Sequence, residues 1–205
     1  MITNISNSQL YQDVFALNTA IDKTYIEIGA AGPIKINNTY LLEQNQFKGF
    51  SIELKDTKVI QWSDPAIRKN QIYCADAITF DYVQAAKDNN LSNHFGYLSC
   101  DIEPPVNTFA ALKRVIEQGI VFDCITFEHD KYQSEIDYDP IVTKYLLSKG
   151  YKVAVKDVYR LRKFRPEGSK KKILRKCFME TWFVHESIDF KEQTYDEWKS
   201  NQNLL

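Results

Sequence analysis

The sequence predicts an α/β fold: a seven-stranded, mostly parallel sheet with helices on both faces and an antiparallel last strand. Three observations predict it. Seven strand-like runs recur along the chain: "TYIEIG", "GFSIEL", "QIYCAD", "FGYLSCDIE", "FDCITFEHD", "YKVAVKDVY" and "CFMETWFVH". The first five are short, apolar and unalternating, as strands are when helices cover both faces of a parallel sheet. Helix-like segments separate most of them, which implies right-handed crossovers between parallel neighbours.

Taken in order, residues 1–20 read as a helical extension ahead of the first strand. A helix signal, "NTYLLEQ", lies between the first and second strands. After the fourth strand, "NTFAALKRVIEQG" stops at Gly119, a residue suited to the left-handed end of a helix. After the fifth, "DPIVTKYLLSKG" offers Asp139 as a cap, Pro140 for the first turn and Gly150 as the stop. The last two strands are joined by "RLRKFRPEGSKKKILRK", which has no apolar face. Residues 162–176 therefore read as a basic hairpin loop, and a hairpin makes the final strand antiparallel. The tail, 187–205, is polar and acidic and reads as a short surface helix.

With 205 residues the chain suits one domain, 1–205, with a well-buried core. Its net charge of −1 supplies no global field toward nucleic acid or membrane. No apolar run approaches the length of a membrane span, and the N-terminal "MITNISNSQLYQDVF" lacks the basic-then-apolar order of a signal peptide. Cys74, Cys100, Cys124 and Cys177 show no metal-ligand spacing and lie in or beside strand runs. They read as reduced core thiols, which points to a cytoplasmic protein.

Parallel sheets bind ligands at the carboxyl ends of their strands, where the strand order reverses. Here the first strand ends Glu27-Ile28-Gly29-Ala30-Ala31-Gly32-Pro33. Glycines let a backbone approach a ligand closely. The second strand ends at Glu53, about where an acid meets ribose hydroxyls in nucleotide-binding sheets. The turn lacks the GxGxxG spacing of dinucleotide enzymes, and a carboxylate at Glu27 would repel a pyrophosphate. It would attract the amino group or sulfonium of S-adenosylmethionine. Asp76, at the third strand end, can accept a hydrogen bond from an adenine amino group. Asp101 and Glu103 end the fourth strand, and Glu128, His129 and Asp130 the fifth. Adjacent strand ends would gather Asp101, Glu103, Glu128 and His129 into a proton-abstracting site, in which histidine titrates near neutrality. Asp101, Glu103 and Glu128 could equally hold magnesium or manganese through oxygen.

These residues, with "YIEIGAAGP", "NTYLLEQ", "FKGFSIEL", "CADAITFDY", "YLSCDIEPPVNTFAAL", "ITFEHDKY" and "METWFVH", resemble the FkbM type of Rossmann-like class I S-adenosylmethionine-dependent methyltransferases over most of residues 24–186. The resemblance implies S-adenosylmethionine as cofactor. It implies that Glu27, Gly29, Ala30 and Gly32 hold its methionine end, with Thr39 and Tyr40 at the mouth. Glu53 would then take the ribose, Asp76 and Ala77 the adenine, and Asp101 would face the reaction centre. Ala31 and Pro33 depart from the glycine or asparagine common there. The resemblance further implies O-methylation of a small molecule such as a sugar or nucleotide-sugar. Catalysis would fall to Asp101 or His129 as base, assisted by Glu128. Two alternatives stand beside it: a cofactor-binding protein without chemistry, and a nucleic-acid-directed enzyme using the basic stretch. The stretch carries Phe164 as its one aromatic residue, which favours a phosphorylated sugar over nucleic acid as its partner.

Overall fold

The computed structural model describes residues 6–165, 171–202 and 204. Its strands are β1 (Thr24–Ile28), β2 (Lys48–Glu53), β3 (Gln71–Cys74), β4 (His94–Cys100), β5 (Val121–Glu128), β6 (Tyr151–Phe164), β7 (Ile173–His185) and β8 (Gln193–Thr194). They form one sheet in the order β3-β2-β1-β4-β5-β7-β6-β8. β1 to β5 are mutually parallel, and β7 runs antiparallel between β5 and β6, as the hairpin connection requires. The eighth strand, outside the expected seven, is a two-residue segment that pairs with Val155 and Lys156.

Strand alternation sends successive residues to opposite faces. One face carries Ile26, Ile28, Phe50, Leu98 and Ile125, and it is covered by α4 (Tyr82–Asp88), α5 (Pro105–Glu117) and α6 (Asp139–Leu147). The other carries Tyr25, Tyr97, Cys124 and Trp182, under α1 (Gln12–Thr19), α2 (Tyr40–Gln44) and α7 (Tyr195–Asn201). A short α3 (Asp56–Val59) follows β2. Apolar residues on both faces of the central strands are what the unalternating runs anticipated. Gly119 and Gly150 end α5 and α6 with φ of +83° each.

Several expectations need correction. β3 is the sheet edge with a single strand partner, so it is half-exposed rather than buried, and Cys74 is exposed with it. Asp139 does not cap α6: Tyr138 holds that position without a side-chain bond, and the Asp139 carboxylate accepts from Thr181 Oγ1 at 2.8 Å. The tail is more than a surface helix. α7 begins with a capping box between Thr194 and Glu197 and buries Tyr195 and Trp198 in the core. The ring centroids of Trp198 and Trp182 lie 4.9 Å apart. Much of 162–176 is strand rather than loop, since Arg162 pairs with Arg175 and Phe164 with Ile173. Lys170, part of the expected basic loop, falls outside the described residues, as do residues 1–5 of the expected helical extension. No helix among the described residues is long and apolar enough to cross a membrane.

Candidate active site

The order β2-β1-β4 makes β1 the strand from which the chain first proceeds to one side and later to the other. Its carboxyl end is pinned on both sides: Gly29 N–H donates to Ile52 O at 3.0 Å, and Asp101 N–H donates to Ile28 O at 3.0 Å. Gly29 has φ of +86°, and a Cβ there would lie 1.7 Å from the Asp101 carbonyl oxygen. The turn therefore admits only glycine at that position. Ala31 takes the next left-handed position, φ +45°, despite its side chain.

A cleft of about 440 Å³ opens beyond these strand ends. That volume suits a nucleotide-sized ligand. Gly29, Glu53, Asp76, Ala77 and Asp101 line it, together with Ala31, Ile78, Ile102 and Asn107. Glu53 Oε2 accepts from Ala31 N–H at 3.0 Å and Oε1 from Lys55 N–H at 2.9 Å, so the acid shapes the turn it faces. Asp76 Oδ1 accepts from Ile78 N–H at 2.9 Å in a local turn.

Glu27, Ala30, Gly32 and Thr39 do not line the cleft. Glu27 turns inward because donors surround it there. Thr39 Oγ1 and Ser51 Oγ each donate at 2.9 Å, Asn37 Nδ2 at 3.1 Å and Asn38 N–H at 3.3 Å. Burial pushes its carboxyl above the ordinary value, against the pull of Arg68. The buried Arg68 guanidinium donates to Glu43 at 2.8 Å, Thr39 Oγ1 at 2.8 Å, Asn37 Oδ1 at 3.0 Å and Tyr25 Oη at 3.0 Å. It also lies 3.9 Å from the Trp62 ring centroid. The Glu27 charge is thus compensated inside the protein and is not a free attractor at the mouth of the turn.

At the β4 and β5 ends, Asp101 and Glu128 hydrogen-bond to each other through their carboxyls. Burial raises both, and in Glu128 the proximity of Asp101 adds to it. Two carboxyls this close do not both ionise readily, so the pair shares a proton. Directly across from Glu128 on β7 stands Glu180, which burial pushes up to about 8. Glu180 accepts from Gln12 Nε2 at 2.5 Å and Trp182 Nε1 at 2.6 Å. Sequence reasoning missed Glu180 and Gln12. An acid inside the apolar run "CFMETWFVH" was the available signal.

His129 is drawn elsewhere. Its N–H donates to Met179 O at 2.7 Å, which continues the β5–β7 ladder and carries the ring off the cleft. The ring lines a separate small cavity with Lys131, Asp139 and Asp157, and its Nε2 lies 3.4 Å from Thr181 Oγ1. Burial lowers its pKa. This placement speaks against His129 as the base. The expected metal set does not assemble either. Among the described residues no group of three or more His, Cys, Asp or Glu is arranged to hold an ion, and Asp101 and Glu128 spend their proximity on a proton.

No family model and no curated protein matches the sequence. Solved structures do resemble the fold. Precorrin-6y C5,15-methyltransferase from Geobacter metallireducens superposes with TM-score 0.51 and 12% identity, covering 83% of this chain and 85% of that one. TrmK from M. capricolum, bound to S-adenosylhomocysteine, gives 0.51 and 10%, covering 92% and 71%. The N-methyltransferase NodS from Bradyrhizobium japonicum gives 0.50 and 10%, covering 85% and 92%. Strand order, the antiparallel β7 and these superpositions together establish that the chain has the Rossmann-like fold of class I S-adenosylmethionine-dependent methyltransferases.

Proposed function

We propose that the protein is an S-adenosylmethionine-dependent O-methyltransferase acting on a hydroxyl of a small molecule, in line with its FkbM-type sequence resemblance. One observation carries this reading. The cleft at the β1–β4 switch is walled by a glycine that no side chain can replace and by acids ending three strands, Glu53, Asp76 and Asp101. Glu53 would accept from ribose hydroxyls and Asp76 from the adenine amino group, since a carboxylate accepts and does not donate. Gly29 would let the cofactor lie against backbone.

The cofactor supplies an electrophilic methyl group. What remains for this chain is to align an acceptor oxygen and take its proton. Asp101 is the group for that step. It lies on the cleft wall and shares a proton with the neighbouring carboxyl of Glu128. Its raised pKa makes it a stronger base than an ordinary aspartate. Among the described residues no group of side chains is arranged to hold a metal ion for this step. The free thiols of all four cysteines support a cytoplasmic setting.

Calorimetry with S-adenosylhomocysteine, followed by donor turnover over hydroxylated acceptors, tests the reading. Binding is expected in the low-micromolar to submillimolar range, with none for nicotinamide dinucleotides. Asp101→Asn should lose about a hundredfold or more in turnover while still binding cofactor, and chelator should leave turnover unchanged. Binding without turnover on any acceptor would make this a cofactor-binding protein instead. A second reading has its own observation: the basic β6–β7 ribbon suits a phosphate backbone. Turnover on RNA or DNA that falls as salt rises would select it.

A further inference from the structure

β6 runs in the same direction as β5, since β7 is antiparallel to both. Its carboxyl end therefore leaves the sheet on the side where β1, β4 and β5 end and where the cleft opens. β5 last pairs with β7 at Glu128 and Glu180, and Glu180 pairs on its other side with Val158. Beyond Val158, β6 continues to Phe164, a reach of about 20 Å at ~3.3 Å per residue.

Residues 160–165 and 171–176 of this ribbon are all exposed. Eight of these twelve are Lys or Arg, and none is Asp or Glu. The whole chain has a net charge of −1, so the body behind the ribbon is strongly acidic. The other four residues are Leu161, Phe164, Ile173 and Leu174, each between 46% and 62% exposed. Strand pairing sets Phe164 beside Ile173 and Arg162 beside Arg175 on one face. On the other it sets Leu161 beside Lys176 and Lys163 beside Leu174. Each face thus carries large apolar side chains among cations. The inner end is secured to the body, where Lys176 Nζ pairs with Asp196 at 2.7 Å and Arg162 lies 4.6 Å from the centroid of the Tyr132 ring.

Clustered apolar side chains in water mark a surface that meets something else. A second copy of the ribbon would satisfy them but would set cation against cation. A nucleic acid would satisfy the cations, yet Leu161, Ile173 and Leu174 offer bases no ring to stack on. The interface of an anionic bilayer satisfies both, with headgroup charge for the cations and acyl chains for the apolar residues. The acidic body does not oppose this contact, because the ribbon's reach exceeds the Debye length of ~8 Å at physiological salt.

We infer that the β6–β7 ribbon docks the protein on an anionic lipid surface, with Leu161, Phe164, Ile173 and Leu174 entering the acyl boundary and the neighbouring cations meeting the headgroups. The cleft then opens on the side that faces the bilayer. The ribbon binds in this way whether or not the cleft transfers a methyl group.

Co-sedimentation of the full chain with vesicles tests this. Phosphatidylcholine vesicles containing about one third phosphatidylserine should bind at least about tenfold more tightly than phosphatidylcholine alone, and the gap should narrow as salt rises. Lys163→Glu combined with Arg175→Glu should weaken that binding at least about tenfold, since each cation near an anionic surface strengthens it about fivefold. Leu161→Ser combined with Leu174→Ser keeps every cation and should still weaken it about tenfold. Melting temperature should hold in both double variants, because all four positions are exposed. Equal binding to the two kinds of vesicle, or undiminished binding in either double variant, would overturn the inference. Pelleting to the same extent without vesicles would assign the ribbon to a second copy instead. Binding to single-stranded RNA that is tighter than to the vesicles and unaffected in the leucine double variant would assign it to nucleic acid.

Discussion

Gly29 and Glu53 divide the work of one turn. Gly29 gives up a side chain so that β1 and β4 can close to contact, and Glu53 gives up two acceptor positions to hold the backbone that results. Glu53 consequently has two roles that a single truncation would merge. Glu53→Ala should weaken S-adenosylhomocysteine by about 1–3 kcal/mol, the range for hydrogen bonds to a charged group. Glu53→Gln keeps an acceptor oxygen for the turn but loses the charge, and should recover part of that loss. Calorimetry on the pair separates the roles, and unchanged affinity in both variants would remove Glu53 from the ribose position. Glu27 shows the opposite allocation. It stands at a strand end like Glu53, yet all its acceptor capacity goes to Thr39, Ser51, Asn37 and Asn38.

The strands themselves were legible in the sequence because burial on both faces leaves uninterrupted apolar runs, and the acids that end them stand out against those runs. Glu53, Asp76 and Asp101 could be found that way. Arg68 could not. It lies in the irregular stretch between α3 and β3, and nothing in "DPAIRKNQ" distinguishes a buried guanidinium from a solvated one. Only the fold brings it to Glu27, Glu43, Thr39 and Asn37. His129 was misread for a related reason, since its side-chain direction depends on the bond its backbone makes to Met179 across the sheet. Arg68 fastens the loop after β1 to α2 and to the Trp62 segment, through Pro33 O at 3.0 Å, Glu43 at 2.8 Å and the Trp62 ring. Removing one partner of a buried ion pair leaves the other uncompensated. Arg68→Ala should therefore cost about 3–5 kcal/mol in chemical denaturation. Arg68→Lys, which lacks the planar fork, should recover only a minor part. A loss below about 1 kcal/mol would mean that solvent reaches Glu27 and Glu43 freely.

At the scale of the molecule, the acids under the sheet couple stability to pH. Glu180 ionises near 4.5 in an unfolded chain, but burial carries it to about 8 in the fold. The folded state therefore binds the proton more tightly. The resulting stabilisation is complete below about 4.5 and is lost as pH climbs through about 8. Asp101, Glu128 and Glu27 are raised in the same direction. Melting temperature should fall as pH rises across this window, and Glu180→Gln should make the fall shallower. A parallel pair of curves would show that Glu180 does not titrate there. The site thus carries a cost at neutral pH that the two aromatic-rich faces of the sheet offset. Gln12 joins α1 to this cluster, so the N-terminal helix belongs to the site's foundation as well as to the core.

The β6–β7 ribbon runs on past its neighbours. β5 stops pairing at Glu128 with Glu180, and β8 meets only Val155 and Lys156. From Tyr159 to Phe164 and from Ile173 to Phe178, the described strands pair only with each other. Such a ribbon has two open edges, and it exposes Leu161, Phe164, Ile173 and Leu174. These are the ingredients for joining strand to strand with another copy. Arg160, Arg162, Lys163 and Arg175 lie on the two strands, so two ribbons approaching each other meet like charge first. Dense multivalent anions screen that repulsion and leave the apolar side chains to find one another. Self-association through the ribbon is therefore expected to grow with sulfate concentration, and light scattering across a sulfate series checks it.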